Sequence, residues 1–342
     1  MSVVLNSLQY LGYILIFPGF LFCFVVGLLL SGIDRKMVAK MQKRVGPPVL
    51  QPFYDFFKLC GKETILPAAA SSKTVFLMAP LVGLAALVVL QLFIPVFNFT
   101  AFSGMADIIV ILYLLLIPAL AMILGGAASG SPYAGVGLSR EMVTIISCEL
   151  PLVLVLLAVG KTVGNAVGSG LTFSFSAIMG YQAENGSLLL KASMIPAAIA
   201  MLLIIPGETG NHPFDAAEAE TEICEGLLAE YSGAPLGVYK LSHAIKMLTL
   251  TSLFVALFLG GIGTGIETLV ALLGLPAALS GGLVMLLGIL VLFLLCAVLT
   301  VVTISFVHAV TARLKIEQIF KYYWTVVTGL ALISLVLAWY GL

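Results

Sequence analysis

The chain has 342 residues, 61% of them hydrophobic and 9% charged, and its sixteen basic residues balance sixteen acidic ones. Soluble domains carry about 25% charged residues, so this composition excludes a soluble domain and points to lipid as the solvent. No nucleic-acid partner is expected.

A membrane-spanning helix needs roughly 20 mostly apolar residues. About eight such runs occur, near 8–31, 74–97, 107–127, 141–160, 187–206, 236–260, 278–306 and 322–341. They are continuous and show no period-2 alternation, which selects helices over a membrane barrel. The expected fold is all-α and polytopic, a single integral membrane domain over 1–342.

The first run is long enough to remain as a span, and no cleavable signal peptide is expected. Residues 32–73 then form a polar segment. It starts basic, Pro47-Pro48 breaks any helix, and after Pro52 the spacing changes. Phe53, Phe56, Phe57 and Cys60 fall at i, i+3, i+4 and i+7, the pattern of an amphipathic helix. Such a helix suits either the membrane interface or a neighbouring subunit. Beyond the second run, Asn98-Phe99-Thr100 spells a glycosylation sequon whose plainer reading is a helix-end turn. Asp107 opens the third run, where a helix N-terminus favours an acid.

The fourth run contains charges that a lipid-facing helix does not tolerate cheaply. An ionisable residue inside a span costs about 2.5–3.5 kcal/mol on insertion scales. Glu141 adjoins Arg140 and reads as a paired boundary charge. Glu149 lies about nine residues into the run with no basic partner nearby, which makes it a candidate proton relay. Segment 161–186 is a Gly- and Ser-rich loop, and 262–278 has the pattern of a short apolar hairpin.

Fourteen of the sixteen Lys and Arg residues fall on one side if eight helices alternate; Lys161 and Lys191 fall on the other. The positive-inside rule then places segments 32–73, 207–235 and 307–321 in the cytoplasm and both termini on the outer side. The five cysteines are scattered without a CxxC pair, and the three histidines are far apart in sequence. Neither pattern predicts a metal or iron–sulfur site in this chain. The absence of an internal repeat argues against a stand-alone transporter built from inverted halves.

Seven of the sixteen acids crowd into residues 207–233: Glu208, Asp215, Glu218, Glu220, Glu222, Glu225 and Glu230. Asp215 and Glu218 have the spacing of an N-cap and its N3 partner. Glu218, Glu222 and Glu225 recur at i, i+4 and i+7, and a helix there would carry them on one face, where like charges repel. No basic residue stands between Lys191 and Lys240. The stretch is either a solvated acidic face or a carboxylate cluster turned to a cavity or a basic partner. Carboxylates sharing a site cannot all stay ionised cheaply, so such a cluster holds protons. The basic 35–62 segment is the expected counter-charge.

Four stretches carry a family resemblance: "DRKMVAKMQKRVGPPVLQP" (34–52), "SREMVTIISCEL" (139–150), "PFDAAEAETEICEGLLAEYSG" (213–233) and "ARLKIEQIFKYYW" (312–324). The chain resembles the subunit 1 family of respiratory complex I and its relatives in energy-converting membrane-bound [NiFe] hydrogenases. The resemblance implies a non-catalytic membrane anchor and coupling subunit in the plasma membrane, with no cofactor of its own. Iron–sulfur clusters and a NiFe centre are then expected in a hydrogenase-like large subunit and a small Fe–S subunit, with antiporter-like membrane subunits alongside. It implies coupling roles for Glu149, Glu208, Asp215, Glu218, Glu220, Glu222, Glu225 and Glu230; Glu141, two turns before Glu149 on a nearby face, is a further coupling candidate. Docking or counter-charge is expected from Arg35, Lys43, Arg44, Arg140, Lys240, Arg313 and Lys315.

Two departures from the complex I pattern bear on the electron acceptor. Only Pro48 and Val49 separate "RVGP" from "LQP", and Asn211 stands where an arginine is usual after "ET". Both favour the hydrogenase-type branch, which drives H+ or Na+ translocation. The alternative is a quinone-reducing subunit, or one serving another acceptor such as a sulfur compound.

Overall fold

The computed structural model describes residues 2–97, 99, 107–168, 170–272 and 277–341. Asn98 and Thr100 of the sequon lie outside them. In chain order the helices are α1 (Ser2–Leu15), α2 (Phe20–Met41), α3 (Gln51–Cys60), α4 (Lys73–Phe93), α5 (Ile108–Ser129), α6 (Pro132–Val167), α7 (Phe175–Asn185), α8 (Ile195–Thr209), α9 (Glu220–Ile223), α10 (Gly233–Phe258), α11 (Ile262–Leu272), α12 (Ala277–Thr300), α13 (Phe306–Val310), α14 (Ile316–Tyr322) and α15 (Thr328–Trp339). Wide π-type turns at Val301–Ser305 and Tyr323–Val327 join α12 to α13 and α14 to α15. Among the described residues, eight helical stretches are long and apolar enough to span a membrane, as the hydrophobic runs predict.

The local signals are ordinary ones. Ser72 caps α4 by accepting from the Val75 N–H, and Pro132 starts α6, where its missing N–H costs nothing. Gly210 adopts a left-handed φ of 67° directly after α8. That ends the helix at Thr209 and turns the chain into the acidic stretch. α10 is the central helix, with every residue from Thr249 to Phe258 buried, against α2, α4, α8 and α12. The outward faces of α4, α5, α6 and α12 expose Leu, Val, Ile and Met side chains, a surface suited to lipid.

The structure revises several boundaries. α2 continues to Met41, so the first basic residues sit on a helix rather than in a loop. α6 begins at Pro132 and places Glu149 mid-helix, deeper than the apolar run suggests. The 161–186 loop contains α7, and 262–272 is a helix. Part of the apolar face of α3 is used within the chain itself. Phe53 and Phe56 pack edge-to-face on Phe24 of α2, while Phe57 and Cys60 stay exposed. Asp107 is the N-cap residue of α5, in keeping with the dipole reading.

Gly32 lets α2 touch the connection to α3. A Cβ there would overlap the Val49 carbonyl oxygen, which is rigid backbone. Gly32→Ala is therefore expected to destabilise the polar end by ~1–3 kcal/mol. A lower Tm for the detergent-solubilised protein would show it, and an unchanged Tm would refute it.

Candidate functional site

The polar ends of α2, α3, α5, α6, α8 and α10 do not close on one another. Together with residues 210–228 and the His308–Arg313 stretch they enclose a cavity of about 450 Å³. The acidic stretch reaches it as irregular chain rather than as a helix. After Gly210 the backbone makes tight turns, with the Phe214 N–H on the Asn211 carbonyl and the Glu218 N–H on the Asp215 carbonyl. Its one α-helical piece is α9, four residues whose N-cap is Ala219, followed by a single 3-10 turn at Gly226–Leu228. Cys224 and Glu225 then take left-handed φ values of 50° and 66°, which ends the turn. Asp215 is thus not an N-cap, and Glu218, Glu222 and Glu225 do not share a helical face. Their type and clustering are as expected, and the cavity rather than a helix gathers them.

At the base of the cavity Lys246 Nζ lies 3.3 Å from Glu208 Oε2, and the two side chains are only 12% and 8% exposed. Glu141, on α6, lines the same cavity and interacts electrostatically with both members of the pair. It is not paired with its neighbour Arg140. Glu149 lies two turns deeper on α6 and also feels Glu208 and Lys246. Three carboxylates therefore answer to one ammonium. Lys246 is a centre of this group that the acid pattern does not reveal; its signal in the sequence is a lysine standing nearly three turns into the apolar run at 236–260.

The outer acids take different partners. Arg140 binds the Glu222 carboxylate at 2.5 Å and the Ala216 carbonyl at 3.2 Å. Arg313 grips Asp215 with two bonds of 2.9 and 2.6 Å and reaches the Thr221 hydroxyl at 2.9 Å. Two arginines from distant segments thus staple the acidic loop. The bidentate grip of Arg313 on Asp215 is the strong form of such a pair. Glu218 stays half-buried in the wall without a salt bridge. Burial pushes it up to about 8, with repulsion from Glu141, Asp215 and Glu225 adding to that and Lys240 opposing it. It holds a proton at neutral pH. Glu220 and Glu225 line the cavity mouth, whereas Glu230 is exposed and apart from it.

The first basic segment is not the counter-charge of these acids. Arg35 Nη1 pairs with Asp55 at 2.9 Å, Arg44 bonds Gln42, and Lys43 is exposed on a left-handed residue away from the cavity. Lys240 lines the cavity, and Lys315 is exposed beyond it. Asp34, buried near the end of α2, also faces the cavity and accepts from Ser305 Oγ at 2.7 Å. Its place one residue before Arg35 makes it look like surface in the sequence. Among the described residues no three His, Cys, Asp or Glu side chains form a metal-binding group.

The profile of the family described as NADH dehydrogenase matches residues 14–339. The chain belongs to this family. Within the NADH dehydrogenase family it is 35% identical to hydrogenase-4 component C of Escherichia coli (strain K12), over 79% of this chain and 81% of the relative. It is 38% identical to a subunit of the NADH-quinone oxidoreductase of Thermomicrobium roseum, over 67% of this chain and 72% of the relative. Its fold matches a chain in the structure of the membrane-bound sulfane sulfur reductase, an archaeal respiratory membrane complex. The TM-score there is 0.82, with 28% identity over 97% of this chain and 99% of that one. These relatives are subunits of oxidoreductase complexes, and with eight apolar spans this chain is a multi-pass membrane protein.

Proposed function

We propose that the chain is the membrane anchor and coupling subunit of a redox-driven ion-translocating complex. One observation carries the reading. A carboxylate-lined cavity at the polar end of the bundle is linked through Glu208, Lys246 and Glu141 to Glu149 inside a span. Electron transfer takes place in peripheral partners, a hydrogenase-like large subunit and a small Fe–S subunit, docked on segments 32–73, 207–235 and 307–321. Their change of charge or shape shifts protons among Glu218, Asp215, Glu220, Glu225, Glu222 and Glu230. It then shifts them at Glu208, Glu141 and Glu149, and drives H+ or Na+ movement in adjoining antiporter-like subunits. Arg140 and Arg313 hold the loop in place, and Arg35, Lys43, Arg44, Lys240 and Lys315 present positive charge to the partners. The basic segments lie in the cytoplasm, both termini lie outside, and the membrane is the plasma membrane.

The hydrogenase relative favours protons as the terminal acceptor. The full-length structural likeness to a sulfane sulfur reductase supports a second reading, a sulfur-compound acceptor with the same coupling role. Nickel in the large subunit that copurifies under mild detergent decides for the first, and a nickel-free complex with sulfur-dependent turnover for the second.

Glu218 offers a pH test. Its folded proton affinity lies above the ordinary carboxylate value, so it is protonated at pH 7 and loses the proton as pH rises through about 8. Ion translocation per electron in the wild type is expected to change across that window. In Glu218→Gln the step should vanish. A step preserved in the variant would remove Glu218 from the path. The same shift bears on stability. The native state binds the extra proton between about pH 4.5 and 8, so this carboxyl's contribution is fully present at low pH and lost as pH rises to about 8.

A further inference from the structure

We propose that His212 and His308 form a proton-exchanging pair between the acidic loop and α2, in which a proton on one ring disfavours a proton on the other. Its use in coupling rests on the function proposed above, while its existence is a matter of geometry. The two residues are 96 apart in the sequence (308 − 212). In the fold their rings stack with centroids 4.9 Å apart and planes 26° from parallel. His212 belongs to the loop after α8, and His308 to α13, just past the π turn. Both line the cavity.

Stacked imidazoles turn their faces to each other, so their nitrogens are left to other partners. Among the described residues His212 Nδ1 is buried and has no hydrogen-bond partner. Imidazole is the side chain that exchanges a proton near neutral pH. Two imidazolium rings at this separation repel, so a proton on one ring disfavours a proton on the other. Burial holds His212 below the ordinary imidazole range; Asp215 opposes this, and His308 and Arg313 add to it.

Asp215 and Arg313 act electrostatically on His212, and His308 acts on Asp34 of α2. The same cavity is also lined by Arg35 of α2, Asp55 of α3, Glu141 of α6, Glu208 of α8, Glu218, Glu220 and Glu225 of the acidic loop, and Lys240, His243 and Lys246 of α10. Asp34 is held by Ser305, one turn before His308, and Asp215 by Arg313. A proton on the pair therefore places one positive charge between two anchored carboxylates on separate segments. It gives a cavity rich in acids a base that can take their proton and return it.

The proton can be read directly on the full complex. Of the two forms of imidazole, diethyl pyrocarbonate acylates only the neutral one, so its rate at His212 against pH, followed by mass spectrometry, reports the occupancy of that ring. His308→Phe keeps a stacked ring and removes its charge. The midpoint for His212 is expected to rise by ~1 pH unit in this variant. His308→Gln, a second variant, should raise it similarly if the phenyl ring disturbs folding. A midpoint equal to wild type in both variants overturns the pair. The readout needs no turnover, so its failure is distinct from a failure of wild-type ion translocation, which would overturn the coupling function instead.

Discussion

Glu149→Gln is expected to abolish ion translocation by the reconstituted complex while electron transfer to an artificial acceptor continues. Gln has almost the same shape as Glu and keeps hydrogen-bonding capacity, but it cannot carry a proton. Glu149 is half-buried on α6, inside a span, where an ionisable group costs several kcal/mol unless it serves a function or a partner. It has no salt bridge of its own, only the field of Glu208 and Lys246. The variant should therefore assemble normally and lose coupling alone. Proteoliposomes with a pH- or Na+-sensitive dye, alongside acceptor reduction, separate the two activities. Ion movement per electron equal to wild type would sink the relay role.

Lys246→Met is expected to have the largest effect on stability. The variant leaves the Glu208 carboxylate, 8% exposed, beside Glu141 with no cation in contact. Breaking a buried pair by removing one member costs about 3–5 kcal/mol, largely through the stranded charge. The double variant Lys246→Met with Glu208→Gln removes that charge and should recover most of the loss. Melting temperatures of the solubilised complex test the cycle. Two losses that simply add would mean that the residues do not act as a pair.

What could be read from the sequence follows from how local each cause is. Spans are local, since a run of about 20 apolar residues needs no tertiary knowledge, and all eight are present. Boundaries failed where the local signal was mixed. "SPYAGVGLSRE" is small and polar, yet it forms the first turns of α6 because its buried residues, Ala134 and Gly137, pack inward. The acidic stretch showed its composition but not its conformation, because a helix was the only template its spacing could be tested against. The loop is fixed instead by Arg140 and Arg313, 82 and 98 residues distant from their partners. Charge pairing over such separations leaves no periodic trace. For that reason the sequence points to the basic 35–62 segment as the counter-charge and carries no sign of Lys246 or the stacked histidines as partners.

Coupling through this chain requires carboxylates that change protonation during turnover. Redox-induced infrared difference spectroscopy on the complex in H2O and D2O observes that change directly. Reduction should produce carboxyl C=O bands that shift in D2O, with one component missing in Glu149→Gln and another in Glu218→Gln. A difference spectrum without carboxyl bands, or one unchanged in both variants, would contradict a carboxylate path through this subunit.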